Sequence, residues 1–243
     1  MSHSYSGYFA DKQLNFSFRH ADTAHYFGNW LVPSECRNEP SLSVPYSDVS
    51  LWEEQWEMDD DGFTEFQLSL YRVSDALLPY GASVFHGAAF LWQERAFLIT
   101  AASGVGKSTQ LQNLLKICGN EIRVMNGDKP ILKQDGERIL VCPSPWKGKE
   151  RLGDDSLSAP LAGIIFLEQA KNNLIQMLSP HQSVPVLLPR FLSTFETPEI
   201  VLDACSLEDA ILRNVPVWKL SNRGDLDSTR LLRDTLLQEV FSQ

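Results

Sequence analysis

The sequence predicts an α/β fold, and three observations carry that prediction. Ala96-Phe97-Leu98-Ile99-Thr100 is a short apolar, β-prone run of the kind buried on both faces of a parallel sheet. Behind it, a glycine-bearing turn leads into a segment where Leu111, Leu114, Leu115 and Cys118 recur at i, i+3, i+4 and i+7, the apolar stripe of a helix stopping at Gly119-Asn120. Further strand-like runs at residues 122–125, 161–167 and 215–220 then alternate with helical patterns at 207–212 and, capped by Asp227-Ser228, through Val240. At 243 residues the chain is long enough for such a domain plus a smaller accessory one.

Residues 1–80 read differently. Leu14-Asn15-Phe16-Ser17-Phe18 and Phe66-Gln67-Leu68-Ser69-Leu70-Tyr71 alternate apolar and polar positions, and polar turns and Pro33, Pro40 and Pro45 separate such segments. Period-two alternation predicts half-buried antiparallel strands, hence a small, mostly β N-terminal lobe packed directly on residues 81–243. Residues 82–92 form a strand-like run, with Gln93-Glu94-Arg95 turning it into the strand at 96–100. That hairpin lays His86 near the sheet end that carries the glycine turn. A histidine there is either an ordinary satisfied polar group or a functional one.

The turn itself, residues 101–108, fits x-x-S-G-x-G-K-[ST]. In this pattern glycines let backbone N–H groups turn inward around a phosphate, and a lysine adds a point charge. Ser103, Gly104, Val105, Gly106, Lys107, Ser108 and Thr109 are therefore the predicted nucleotide-binding residues, with Ser108 reaching a magnesium ion. The positive end of the helix that follows points at the same anion. Ala101 stands where the full Walker A pattern has its first glycine.

After the helix, the strand at 122–125 ends in Asn126-Gly127-Asp128-Lys129. A carboxylate at the carboxyl end of a strand beside the phosphate loop sits where doubly wound sheets gather their chemistry. Asp128 is placed to hold magnesium or to receive a hydroxyl proton; Asn-Gly-Asp is also a favoured turn in its own right. Residues 131–142 read as a hairpin with Asp135-Gly136 at its tip. Pro143-Ser144-Pro145-Trp146-Lys147-Gly148-Lys149-Glu150 follows, and two readings stand for it. One is a rigid loop whose aromatic, Lys147, Lys149 and Glu150 meet a phosphate or an acceptor substrate; the other is an exposed connection. Residues 184–190 form a proline-bounded segment of open conformation, and Arg190 in it either pairs a phosphate or covers surface.

Composition narrows the partners. A formal charge of −10 argues against a surface built to hold nucleic acid, which depends on Lys and Arg contacts to phosphates. Glu53, Glu54, Glu57, Asp59, Asp60 and Asp61 carry much of that charge and read as a solvated turn between strands. No apolar run reaches the ~18 to 20 residues that cross a bilayer, and the polar start lacks the basic end and apolar centre of a signal peptide, so a cytoplasmic protein without membrane contact is expected. Cys36, Cys118, Cys142 and Cys205 are scattered without a C-x-x-C pair and read as buried thiols rather than a zinc site or disulfide framework.

Taken together, His-Gly after a strand, a hairpin, an SGVGKS loop, a helix, a strand ending in Asp, another hairpin and a W-x-G loop resemble the HPr kinase/phosphorylase catalytic domain and the wider HPr-kinase-like and phosphoenolpyruvate-carboxykinase-like P-loop family. The resemblance spans roughly residues 83–220 and is strongest at Val84-Phe85-His86-Gly87 and residues 103–108. It implies a P-loop core, ATP and Mg2+ as nucleotide and metal, and Lys107 with the loop backbone holding the phosphates. Ser108 and an acidic residue would share the magnesium, and His86 matches a histidine near the phosphates. Of the family's aspartate pair, Asp128 matches the second; Gly127 stands at the first, so base and metal duties fall on Asp128 alone or recruit a group such as Glu150. Ala101-Ala102 replace the family's Gly-Asp, and the segment ending at Arg190, similar to its basic acceptor loop, lacks that loop's glycine.

Short HPr-kinase-like proteins of peptide-maturation clusters look similar in size. The resemblance therefore implies an ATP-dependent kinase acting on a serine-type hydroxyl of a peptide or protein, with Asp128, His86 and Lys107 as the catalytic set. Lys147, Lys149, Glu150 and Arg190 are the substrate-side candidates. A small-metabolite kinase, free serine being one acceptor, and a nucleotide-binding partner that has lost catalysis are the alternatives. Since HPr kinases assemble as hexamers, a homo-oligomer is a further expectation.

Overall fold

The structure, a computed structural model, describes residues 3–34, 40–45, 48–50, 60–102 and 104–241. It opens on two strands, β1 (His3–Phe9) and β2 (Lys12–Phe18), paired antiparallel from His3↔Phe18 to Phe9↔Lys12. The two-residue turn between them puts both Ala10 and Asp11 at positive φ, 46° and 66°, the handedness that matches strand twist in a tight hairpin. A short helix α1 (Thr23–Phe27) and β3 (Leu31–Pro33) complete a three-stranded sheet of order β2-β1-β3.

Here the expectation of a mostly β lobe is corrected. Residues 66–71 are not a strand but lie inside a 17-residue helix, α2 (Asp61–Leu77). Phe66, Leu70, Val73 and Leu77 are all buried and recur at helical spacing, so the alternation of Phe66, Leu68 and Leu70 is a coincidence inside a longer period. Asp60 and Asp61 are likewise not a turn between strands: Asp60 caps α2, its carboxylate accepting from the Phe63 amide, and Asp61 sits in the first turn beside the positive helix end. Glu53, Glu54, Glu57 and Asp59 lie outside the described residues.

The anticipated strand over 82–92 is interrupted. It resolves into β4 (Ala82–Val84) and β5 (Ala88–Trp92), with Phe85, His86 and Gly87 between them. The expected turn then gives β6 (Arg95–Ala101) and the helix α3 (Lys107–Cys118), closed by Gly119 at φ 55°. Next come β7 (Ile122–Asn126), the hairpin β8 (Ile131–Asp135) and β9 (Arg138–Cys142), and the long β10 (Ala159–Gln169). Beyond β11 (Leu174–Met177), the open segment near residue 185 is helical: α4 (Pro180–Leu187), boxed at its start by Ser179 and Gln182, runs into a 3-10 turn, Leu188–Arg190. The final elements are α5 (Pro198–Asn214), β12 (Val217–Asn222) and α6 (Leu226–Glu239). The cap of α6 is Asp225, which accepts from the Ser228 amide, rather than Asp227-Ser228.

Nine strands form one curled sheet. Its order runs β4-β8-β9-β10-β6-β5-β7, with β12 also on β10 and β11 on β12. The strands β6, β10 and β12 are mutually parallel, and β5 is antiparallel to both β6 and β7, so β7 runs the same way as β6. The carboxyl ends of β6 and β7 therefore open on one edge. Alternating residues of β6 feed two cores. Phe97, Ile99 and Ala101 pack with α3 and α6 through Leu111, Leu114, Leu232 and Leu236. Ala96 and Leu98 face the other way, toward Leu207 and Ile211 of α5. The layers are thus helix, sheet, helix, an α/β arrangement consistent with a nucleotide-binding fold.

A third core ties in the N-terminal elements. Phe9, Phe16, Phe18, Phe27 and Phe66 pack with Val84, Ile131 and Trp146, so residues on both sides of position 80 share one apolar cluster. Beneath it, buried Glu65 of α2 accepts from the Arg19 and His20 amides and from the Thr23 hydroxyl at 2.6 Å. Cys118 and Cys142 are buried, but Cys205 is exposed on α5, against the expectation for it; Cys36 lies outside the described residues. Among the described residues, no helix is long and apolar enough to cross a membrane.

Candidate functional site

The site begins where β6 ends. Ala101 is fully buried and pairs with Leu167 as the last strand residue, so the position that lacks the pattern's first glycine lies in extended backbone that accepts a Cβ. The turn proper uses the other two glycines. Gly104 and Gly106 have φ of 77° and 109°, in the left-handed region, and a Cβ at either would meet nothing within 4 Å. Their requirement is conformational, and the space in front of them is open. Gly106 caps α3, its carbonyl accepting from the Gln110 amide at 2.9 Å. The free amides of the first turn, Lys107, Ser108 and Thr109 among them, face outward from the positive helix end. Ser108 and Thr109 are exposed, and Ser103 lies outside the described residues.

Opposite the turn stands His86, and the backbone fixes it from three directions. Its amide donates to the Arg190 carbonyl at 2.8 Å, its carbonyl accepts from the Thr100 hydroxyl at 2.7 Å, and the Gly87 amide donates to the Asp128 carbonyl at 2.8 Å. The strand break at 85–87 is therefore a three-residue strap pinned between 128–130 and 190–192. On it, His86 Nε2 lies 2.9 Å from Lys107 Nζ and 3.5 Å from Asp128 Oδ1.

Asp128 is presented by a turn built on Asn126. Buried Asn126 accepts the amides of Asp128 and Lys129 through its Oδ1, at 2.9 and 2.8 Å, and donates its Nδ2 to Ser144. The Ser144 hydroxyl in turn donates to the Lys129 carbonyl. The turn reading of Asn-Gly-Asp holds, and this Asx-type turn is what presents the Asp128 carboxylate. Asp128 Oδ2 also pairs with Lys129 Nζ at 2.6 Å. Burial pushes the Asp128 carboxyl up, but the His86 hydrogen bond and the Lys129 ion pair outweigh it and hold the group well below the ordinary carboxylate range.

The cations are crowded. Burial lowers the Lys107 ammonium below its usual value; Asp128 partly restores it, and the positive charges of Arg190 and Lys129 lower it further. Burial also depresses Arg190, whose Nε is buried without a hydrogen-bond partner among the described residues. A cluster of Lys107, Lys129 and Arg190 facing a helix N-terminus is short of negative charge, and a phosphate chain would supply it.

Of the residues singled out from sequence, His86, Lys107 and Asp128 come into direct contact, and Arg190 joins them by its backbone and charge. The loop residues after Cys142 are divided. Trp146, expected as a presented aromatic, is 1 % exposed and donates its indole N–H to the Phe66 carbonyl, because it serves the third core. Lys147 turns to Asp155 at 2.9 Å and Glu150 accepts from Gln112 of α3 at 3.3 Å. Lys149 is exposed. Lys129, Asn126 and Thr100 were not singled out; the only sequence signal for them was an Asn two residues before an Asp at a strand end.

A cavity of about 1390 Å³ opens beside Asp128. Asp128 and Lys129 form part of its wall, Lys147, Lys149 and Arg151 another, and the N-terminal sheet with α1 and α2 the rest. Neither Glu150 nor Arg190 lines it. Among the described residues no group of three or more His, Cys, Asp or Glu side chains gathers as a metal cluster.

No family model and no curated protein matches this chain. Among solved structures it is similar to the Hpr(Ser) kinase/phosphatase from Coxiella burnetii, at 15% identity and a TM-score of 0.36, covering 64% of this chain and 97% of that one.

Proposed function

We propose that the protein is an ATP-dependent phosphotransferase of the HPr-kinase-like type, passing the γ-phosphoryl group to a serine-type hydroxyl on a peptide or protein. One observation carries this reading: Lys107, at the start of a glycine-turn helix, meets His86 at 2.9 Å, and His86 Nε2 lies 3.5 Å from Asp128 Oδ1. A phosphate-holding cation and an ionised carboxylate are thereby bridged at one edge of the sheet. Phosphoryl transfer needs chiefly positioning and charge neutralisation, and this edge offers both.

In the reaction the acceptor oxygen bonds to the γ-phosphorus as the bond from that phosphorus to the β–γ bridging oxygen breaks, leaving ADP. The hydroxyl proton passes to Asp128 or His86. Lys107 and the amides of residues 104–109 bind the phosphates. Ser108 and Asp128 are hard oxygen donors of the type magnesium takes, and Asp128 is held ionised, so the donor chemistry fits that ion, which would take over Asp128 oxygens now facing Lys129 and His86. Bound there, magnesium would neutralise charge on the phosphates.

A second reading is favoured by Gly127, which offers no first carboxylate: a partner protein that binds nucleotide without catalysis. Incubating the protein with γ-labelled ATP, magnesium and serine-bearing peptides separates the two. Label on peptide is expected; nucleotide binding with neither transfer nor hydrolysis would leave only the second.

A further inference from the structure

The cavity beside Asp128 has three properties that together describe an occupant. The first is size. About 1390 Å³ exceeds the roughly 300–1,000 Å³ of ordinary small-molecule pockets, so an amino acid or similar metabolite would leave most of it wet. The second is an apolar wall that water reaches. Tyr8 of β1 and Val32 of β3 are 66% and 59% exposed, among the most exposed large apolar side chains of the protein, and both face this cavity. The third is charge. Its two carboxylates, Asp128 and Asp155, are already paired with Lys129 and Lys147. Lys149 and Arg151 remain, and neither makes an ion pair among the described residues. In a chain of formal charge −10, an unneutralised pair of cations on one wall is a local exception.

Arg151 is also held at φ 49°, where a non-glycine residue is strained. The loop that carries it is fastened underneath: the Gly127 amide donates to the Leu152 carbonyl at 2.9 Å and Gly148 packs against Asp128. Lys149 and Arg151 thus stand on a loop registered to the Asp128 turn.

Resting on the phosphotransferase reading of Asp128, we propose that this cavity is the acceptor site and that its occupant is an acidic peptide segment with an aromatic or aliphatic side chain near the acceptor serine. The apolar side chain lies against Tyr8 and Val32, the acidic groups meet Lys149 and Arg151, and the serine reaches Asp128 between them. Charge complementarity selects the segment, and the apolar wall holds it.

Binding is tested apart from turnover, by fluorescence polarisation of a fluorescein-labelled 13-residue peptide with the full-length protein and no nucleotide. The peptide carries one central serine, flanking aspartates and one phenylalanine. Binding is expected to weaken with salt, to weaken at least tenfold in the Lys149→Glu/Arg151→Glu double variant, and to return in that variant for a lysine-flanked peptide. Tyr8→Ala is expected to weaken both peptides. Both charged positions are exposed, and an unchanged melting temperature checks folding. Equal binding of acidic, neutral and basic peptides would overturn the proposal, as would indifference to the double variant, displacement of the peptide by free serine, or displacement by ADP alone. A protein that binds the peptide but transfers nothing from ATP would lose the phosphotransferase reading and keep the docking site. One that phosphorylates free serine as well as any peptide would do the reverse.

Discussion

Lys107 Nζ and His86 Nε2 stand 2.9 Å apart, and that one nitrogen also faces Asp128 Oδ1 at 3.5 Å. Nε2 can accept from the ammonium or donate to the carboxylate, but it cannot do both in one protonation state. The two contacts, at 2.9 and 3.5 Å, therefore compete for one nitrogen. On the proposed phosphotransferase reading, a phosphate at the glycine turn would compete for the same ammonium and free Nε2 for Asp128, coupling His86 to the nucleotide through Lys107.

Removing that ammonium is the first prediction. Lys107→Ala should cut phosphoryl transfer at least a hundredfold and weaken ATP binding, since the charge facing the phosphates is lost. Its melting temperature should be unchanged or raised, because a partly buried ammonium beside Arg190 and Lys129 costs desolvation and repulsion. Transfer assays and calorimetry check both; unchanged turnover would sink the site assignment.

Asp128→Asn is the second. The folded carboxyl lies below its ordinary value, so its stabilisation is present above the unfolded pKa, near 3.8, and is lost as pH falls through the lower folded value. The variant should be less stable than the parent by about 2 kcal/mol at pH 7, with Lys129 left unpaired. The gap should begin to narrow below about pH 4 and be smaller at pH 3 than at pH 5. Denaturant melts at pH 7, 5 and 3 measure it, and a gap constant with pH would mean that the carboxylate's charge is not what matters.

Much of this site's geometry could be read from residues alone, because the glycine turn is local chemistry. Gly104, Gly106 and Lys107 are specified by backbone geometry within a few positions, and the pattern of 107–118 gives the helix behind them. Asp128 was legible for the same reason, through strand period and end. What sequence did not give is non-local. Phe66, Leu68 and Leu70 alternate over five positions and match a strand until the window is widened to Val73 and Leu77. Trp146 reads as a presented aromatic until its partner, the Phe66 carbonyl eighty residues earlier, is known. The cavity joins β1 and β3 to residues 145–151, a closure that no single stretch of sequence encodes.

Glu208 of α5 supplies a prediction away from the glycine turn. It is 4 % exposed, its Oε1 has no hydrogen-bond partner among the described residues, and burial raises its pKa to about 7 against a hydrogen bond from the Leu188 backbone. With the folded value raised, the stability it permits is complete below the unfolded pKa, near 4.5, and is lost as pH rises through about 7. Glu208→Gln stays neutral throughout. It should match the parent at pH 4.5 and be more stable by roughly 2–3 kcal/mol at pH 8.5. Equal stability of the two proteins at pH 8.5 would show that the carboxylate ionises without cost, through water or a shifted backbone.

The last prediction concerns the missing carboxylate. Restoring an aspartate at position 127 looks from sequence like a route to a better catalyst, but the structure argues against it. A Cβ built on Gly127 would meet the Lys147 carbonyl at 3.0 Å and Leu152 Cβ at 3.3 Å. Both belong to the loop that carries Lys149 and Arg151, and that loop has little slack: a Cβ on Gly148 would meet Asp128 Cβ at 2.9 Å, and one on Gly153 the Met125 carbonyl at 2.6 Å. Position 127 is thus covered by backbone rather than by a flexible side chain, and the cost falls on the loop. Gly127→Asp should lose about 1–3 kcal/mol of stability, the usual cost of overpacking. It should also weaken the acidic peptide's binding and leave transfer no faster. Gly127→Ala should show the same signs at smaller size, since it adds the Cβ without the charge. If Gly127→Asp instead melts with the parent and transfers phosphate faster, the loop yields easily and a second carboxylate is all the site lacks.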